Sequence, residues 1–190
     1  MTISTLLAAA AMLQAESLDP YFKFKPDTVW IYERSDTSAK GVRKISITMK
    51  VLKEVEGKVS VECKEPLENG QIDTMIYRWY AKDGFLVWAA LTPTGEQLLY
   101  QFYKAGSKKG DTWEAKTAPG VKLTATHRGT SDVTVPAGTY KGAVCIRLEG
   151  EARGQKILQD WYFVPNVGVV KFDDIAEKSS GELKEFQVKK

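Results

Sequence analysis

Ile45-Ser46-Ile47-Thr48-Met49-Lys50-Val51 alternates apolar and polar side chains without a break. Successive residues of a β-strand point to opposite faces. The pattern therefore sets Ile45, Ile47, Met49 and Val51 on one apolar face and turns the residues between them toward water. Val59-Ser60-Val61-Glu62-Cys63, Val121-Lys122-Leu123-Thr124-Ala125 and Val144-Cys145-Ile146-Arg147-Leu148 read the same way. Met75–Tyr80, Phe85–Ala90, Leu98–Tyr103 and Gln159–Val164 are apolar or aromatic on both faces, and read as central strands covered on two sides.

Turn signals separate these runs at short intervals: Glu56-Gly57, Asn69-Gly70, Asp83-Gly84, Pro93-Thr94-Gly95, Pro119-Gly120, Pro136-Ala137-Gly138 and Asn166-Val167-Gly168. Asn69-Gly70 suits a type I′ hairpin turn, which needs positive φ at both central residues. Val135-Pro136-Ala137-Gly138 suits a type I turn, with Pro presetting φ at the second position. Short hairpins imply antiparallel pairing, and no long amphipathic helix follows residue 20. The expected fold is all-β: a large antiparallel curled sheet or open barrel, with a β-sandwich as the alternative.

The chain also echoes itself. Asp27-Thr28-Val29-Trp30 is matched by Asp111-Thr112-Trp113, and Trp79-Tyr80 by Trp161-Tyr162. Trp30 precedes Trp79 by 49 positions, and Trp113 precedes Trp161 by 48. Cys63 and Cys145 each lie 16 residues before the second tryptophan of their set. Two similar halves, about 21–91 and 98–188, are expected within one domain spanning 16–190. One strand fits poorly: Cys63 shares the apolar face of its run, whereas Cys145 alternates with Val144, Ile146 and Leu148, so strict equivalence needs a bulge or a slip.

The 190 residues carry a net charge of +3. The only dense basic runs are Lys108-Lys109 and Lys189-Lys190, so a dedicated nucleic-acid binder is not expected. Residues 1–15 hold no charged side chain, and Ile3–Leu13 has the length of a signal-peptide apolar core, ending at Leu13-Gln14-Ala15. That run is too short to span a bilayer and no later segment is long enough, so the expectation is a protein exported to the periplasm or the extracellular space, without a transmembrane anchor. Export would permit Cys63 and Cys145 to pair, although sequence cannot decide it.

Catalytic signatures are sparse. His127 is the single histidine. Ser131 and Asp132 lie near it in sequence, but triad members meet in space and no Gly-x-Ser-x-Gly elbow is present, so a solvent-exposed or capping histidine is the expectation. Asp173, Asp174 and Glu177 lack the alternating ligands and glycine of a calcium loop, and read as a solvated connection before the last strand. One histidine and two distant cysteines give no zinc-ligand pair. No catalytic residue, metal site or cofactor is assigned. An extracytoplasmic hydrolase resting on His127 and scattered carboxylates remains the alternative, as does a structural or assembly component without a small ligand. The aromatics are the more informative feature. Tyr77, Trp79, Tyr80 and Trp88, with Trp161 and Tyr162, are candidates for lining a ligand cavity, because strands aromatic on both faces must cover two surfaces.

Tyr21-Phe22-x-Phe24-Lys25-Pro26-Asp27-x-x-Trp30-x-Tyr32 resembles the start of uncharacterised bacterial exported domains, whose opening is of the Tyr-Phe-Pro-Leu-x-x-Gly-x-x-Trp-x-Tyr type. Phe24 stands where Leu is common there, and Asp27 near the usual Gly. Val135-Pro136-Ala137-Gly138-Thr139-Tyr140 and Trp161-Tyr162-x-x-Pro165-x-Val167-Gly168-x-Val170-Lys171 are similar to the signature of the same group. By analogy, the fold expected is similar to the open, curled sheet of bacterial lipoprotein carriers, which hold acyl chains on a concave apolar face. The functional expectation is a non-catalytic envelope or secreted protein that binds an apolar small molecule or a protein partner.

Overall fold

The computed structural model describes residues 17–38, 41–115, 121–152 and 154–189. The expected leader at 1–15, the expected Pro119-Gly120 turn and Lys190 lie outside the described residues. Among those described, a 3₁₀ turn at Asp19–Tyr21 precedes twelve strands. These are β1 (Val29–Ser38), β2 (Gly41–Val55), β3 (Lys58–Pro66), β4 (Ile72–Lys82), β5 (Phe85–Thr92), β6 (Gly95–Lys104), β7 (Thr112–Ala115), β8 (Val121–Val135), β9 (Gly138–Ala152), β10 (Gln155–Val164), β11 (Gly168–Asp174) and β12 (Ser179–Gln187). They form one antiparallel sheet rather than two packed sheets, in the order β6-β5-β4-β3-β2-β1-β12-β11-β10-β9-β8-β7. Each run of six is a simple meander, and the two runs join where β1 pairs with β12.

The alternation that defines β2 appears as burial. Ile45, Ile47, Met49 and Val51 are all buried, and the residues between them are exposed or half-exposed. Type I′ geometry occurs at two hairpins. Glu56 and Gly57 have φ of 52° and 74°, and Asp83 and Gly84 have 52° and 77°. Asn69-Gly70 does not form it, because only Gly70 has positive φ there. Gly70 instead bonds back to Leu67, and the Asn69 side chain accepts from the Gln71 amide, so the asparagine serves as a local acceptor.

The sheet curls until its edges face one another. Trp113 on β7 donates its indole N–H to the carbonyl of Gln101 on β6 at 3.3 Å. No ladder joins β6 to β7 among the described residues, so the barrel is open at this seam. The curl corrects the expectation for Leu98–Tyr103: it lies in β6, an edge strand and not a central one. Its aromatic residues are covered by the far wall of the curl. Phe102 packs at 4.9 Å on Trp161 of β10.

Two further pieces fill the concave side. Leu18, Tyr21, Phe22 and Phe24 are buried, with Phe24 edge-on to Trp30 at 4.8 Å and the Pro20 carbonyl accepting from the Asn166 amide at 2.6 Å. The β8–β9 hairpin outruns its neighbour, because β9 pairs with β10 only from Val144 onward. Register shifts at His127/Gly129 and Ser131/Val133 bend this extension, as bulges do. Its tip folds back until Ala137 donates to the Leu183 carbonyl at 2.9 Å, which buries Val133 and Val135.

Candidate functional site

Between the plugged end and the folded hairpin, the concave face leaves a half-open cavity of about 260 Å³. Tyr32, Ile47, Met49 and Cys63 come to it from β1, β2 and β3, and Met75 and Tyr77 from β4. Trp88 and Tyr100 form the β5–β6 side, facing Gln159, Trp161, Val169 and Phe172 on β10 and β11. Strand alternation brings them together: register partners such as Met49↔Cys63 and Cys63↔Met75 point the same way from adjacent strands.

The aromatic wall is held from behind. Trp88 stacks on Trp79 at 4.8 Å with the rings 9° from parallel, and meets Trp161 edge-on at 5.6 Å. Trp161 stacks in turn on Phe172 at 5.0 Å. A polar chain fixes its indole: Trp161 Nε1 donates to Gln159 Oε1 at 3.1 Å, and Gln159 Nε2 donates to Asp174 at 2.7 Å. Phe172 lies over Gly181, its cross-strand partner, where a β-carbon would collide with the ring. On the opposite wall Tyr32 donates to the Val169 carbonyl at 2.8 Å.

Glu65 is the one charged side chain among the lining residues, and its charge is paired with Arg34 at 2.8 Å, which also holds Asp36. Burial pushes the Cys63 thiol up to about 11, with Glu65 and Asp73 adding to the shift. Burial likewise raises Tyr77 and Tyr100, and Asp174 reinforces the effect at Tyr100. The interior therefore presents neutral phenols, a neutral thiol and hydrocarbon at ordinary pH.

Of the six residues singled out in the sequence, Tyr77, Trp88 and Trp161 line the cavity. Trp79 supports it from the core side and is buried. Tyr80 and Tyr162 point to the other face of the sheet. Tyr80 packs with Val87 and Ala89 under Lys58, and its hydroxyl donates a hydrogen bond to Glu96 at 2.6 Å. Tyr162 is the register partner of Cys145, and burial raises its hydroxyl to about 12. Tyr32, Met49, Cys63, Tyr100 and Phe172 were not anticipated as lining residues, because only the curl of the sheet brings strands so far apart in sequence to one space.

Cys63 and Cys145 are both buried and free. Cys63 points into the cavity, whereas Cys145 lies on the outer face beside Tyr162, with five strands between β3 and β9 in the sheet order. The mismatch visible in the alternation is thus a real difference of face. His127 is buried rather than solvent-exposed, and its Nδ1 accepts the Gly129 amide at 3.0 Å across a bulge. Asp132 accepts the Gly142 amide, and Ser131 is exposed, so the three form no triad. Asp173 and Asp174 belong to β11 rather than to a connection, and are half-buried. Burial raises Asp173. No group of three or more His, Cys, Asp or Glu side chains that could hold a metal occurs among the described residues.

Two solved structures share this architecture. One is a protein of Bacteroides fragilis described as exported and as having a YmcC-like fold, with a TM-score of 0.50 and 13% identity over 88% of this chain and 98% of that one. The other is a protein of Parabacteroides distasonis described as a lipoprotein, with a TM-score of 0.50 and 15% identity over the same shares. No protein-family model matches the chain. No curated protein matches it either. The likeness establishes the fold as YmcC-like.

Proposed function

We propose that the protein is a non-catalytic, extracytoplasmic binding protein that takes a small apolar ligand into the concave cavity. The observation that carries this reading is the half-open cavity itself, walled by Tyr77, Trp88, Tyr100, Trp161 and Phe172, whose one charged lining residue, Glu65, is paired with Arg34. A closed core would not leave such a space, because interiors pack to crystal-like density. Its volume of about 260 Å³ falls just below the range of drug-sized pockets, roughly 300–1,000 Å³. That size suits a small aromatic compound of two or three rings or one short hydrocarbon chain. The uncharged apolar run at Ile3–Leu13, and the exported protein and lipoprotein that share the fold, support an extracytoplasmic location.

The test is titration of the mature domain with the neutral fluorescent amine N-phenyl-1-naphthylamine. Saturable binding at one site per chain is expected, displaced by a medium-chain alcohol. Met75 stands partly exposed at the mouth, so Met75→Trp should close it and abolish binding while the fold persists. Absence of saturable binding by the folded wild-type domain would overturn the proposal.

A further inference from the structure

Three sulfur-bearing side chains stand in one row on the cavity wall. Met49 on β2 is the register partner of Cys63 on β3, and Cys63 is the register partner of Met75 on β4. All three line the cavity. Directly opposed residues of antiparallel strands have Cα atoms roughly 4.5–5.5 Å apart and send their side chains to the same face. The thiol is therefore flanked on each side, on the same face, by a flexible thioether. Met49 and Cys63 are buried at 8% and 6% exposure, while Met75 is 38% exposed, so the row runs from the wall to the mouth. Tyr77 donates its hydroxyl to Met75 Sδ at 3.5 Å, which places that sulfur among the groups facing the cavity.

Filling space is the ordinary use of Met and Cys in a core. This row differs in facing a void through which a ligand can arrive. We propose that Met49, Cys63 and Met75 form a binding site for a soft monovalent metal ion, Cu(I) or Ag(I). Thioether and thiolate ligands select such ions over hard or borderline divalent ones, and a set of three suits the low coordination numbers that Cu(I) accepts. Glu65, two residues beyond Cys63 on the same face, is held by Arg34 and leaves the donor set all sulfur. On binding, Cys63 loses its thiol proton to water and forms a metal–thiolate bond, and each methionine donates a sulfur lone pair. No electron is transferred, and the charge at the site is neutral before and after.

This site is independent of the apolar-ligand reading, although both occupy one cavity. The experiment is anaerobic competition for Cu(I) against bathocuproine disulfonate. It uses a Cys145→Ala background so that the outer-face thiol contributes nothing. One Cu(I) per chain should be withdrawn from the chelator, and Cys63→Ser should weaken this by roughly 100-fold. Met49→Leu and Met75→Leu keep volume and apolar character, so they should fold and still bind the naphthylamine probe while each loses metal affinity by more than about tenfold. Circular dichroism checks the fold of each variant, and sulfur-ligand distances from X-ray absorption identify the donors. Equal Cu(I) affinity with and without the Cys63 thiol would overturn the proposal. So would unchanged affinity in both leucine variants, which would leave an ordinary thiol. In the protein that keeps Met49, Cys63 and Met75, absence of Cu(I) binding with probe binding intact counts against this site alone, and Cu(I) binding without probe binding counts against the apolar-ligand reading alone.

Discussion

Tyr32 reaches from β1 to donate its hydroxyl to the carbonyl of Val169, 137 residues away, in a 2.8 Å hydrogen bond. Trp30 does the same two residues earlier, with its indole N–H on the Val167 carbonyl at 2.6 Å. The location explains both bonds. β11 pairs with β12 only over Lys171–Asp174, so the start of β11 and the turn before it have no β12 partner there. Buried carbonyls need donors, and two side chains from the inner face of β1 supply them. Tyr32→Phe keeps the ring and removes the donor, leaving the Val169 carbonyl buried and unpaired. The expected loss of stability is about 1–3 kcal/mol, read from urea unfolding with an unchanged m-value. A change within error of zero would mean that water reaches this carbonyl.

Phe172 occupies the space above Gly181 that any β-carbon would need. A ring over a cross-strand glycine restores the side-chain cover that the glycine lacks. Gly181→Ala should therefore displace Phe172 from its stack on Trp161 toward the cavity. The expected cost is about 1–3 kcal/mol, the usual range for overpacking. The same substitution should weaken naphthylamine binding. Retention of full stability and full binding would mean that the strand pair separates without moving the ring.

The place of Phe172 in the cavity wall shows what a sequence of this kind conveys. Local rules are visible in it: the alternation in Ile45–Val51 becomes buried and exposed faces of β2, and each glycine turn signal within the described residues falls between strands or ends on the first residue of the next one. Pairing between β1 and β12 joins residues about 150 apart and has no local signature. The same holds for the folded hairpin tip, whose amide at Ala137 meets Leu183. Aromatic strands were read as central because both faces were apolar, yet β6 is an edge whose inner face is covered by the far side of the curl. Most of the cavity wall was hidden because the curl brings together strands far apart in sequence. Tyr77, Trp88 and Trp161 stood out by aromatic density, whereas Met49, Cys63 and Phe172 sit in ordinary alternating runs and become cavity residues only through curvature.

Asp27 provides a test by pH. Hydrogen bonds from Lys50 and Lys189, then their charges, hold its carboxyl down at about 2, against an ordinary value of 3.8. A folded-state value below the unfolded one means that the folded state favours the ionised form. The stabilisation is then fully present above about pH 4, and is lost as the pH falls through about 2. Asp27→Asn tolerates the same left-handed backbone, φ 64°, and cannot ionise. The melting temperatures of wild type and variant should differ at neutral pH and converge at pH 2. The difference should shrink in high salt, because the pair is exposed to solvent. A constant difference across that range would assign the effect to backbone conformation rather than to charge.

The two six-strand runs invite a test of their independence. Trp30 lies on the first strand of one run and Trp113 on the first strand of the other, and Trp79 and Trp161 each lie on the fourth. Trp79 and Trp161 both face the concave side, and Trp88 touches both rings. We propose that the runs are structural repeats, with the seam falling between β6 and β7, at residues 105–111. Cys63 and Cys145, each on a third strand, break the correspondence: Cys63 lies four positions from Val59, the register partner of Trp79, whereas Cys145 lies one position from Ile146, the register partner of Trp161, and so faces the other side. Neither run can cover its own apolar face. The first leaves Trp88 and Phe102 without Trp161 and Phe163, and the second leaves Trp161 without the β5–β6 wall. A sheet exposing such a face is not stable as a single layer. Fragments 17–110 and 111–189 expressed separately should each lack a cooperative thermal transition and should bind apolar dyes non-specifically. Mixed in equimolar amounts, they should recover the β-sheet spectrum and the transition, because the β1–β12 ladder and the tryptophan cluster both form between them. A cooperative transition in either fragment alone would show that its meander holds a core of its own, and the two-run architecture would then describe two domains.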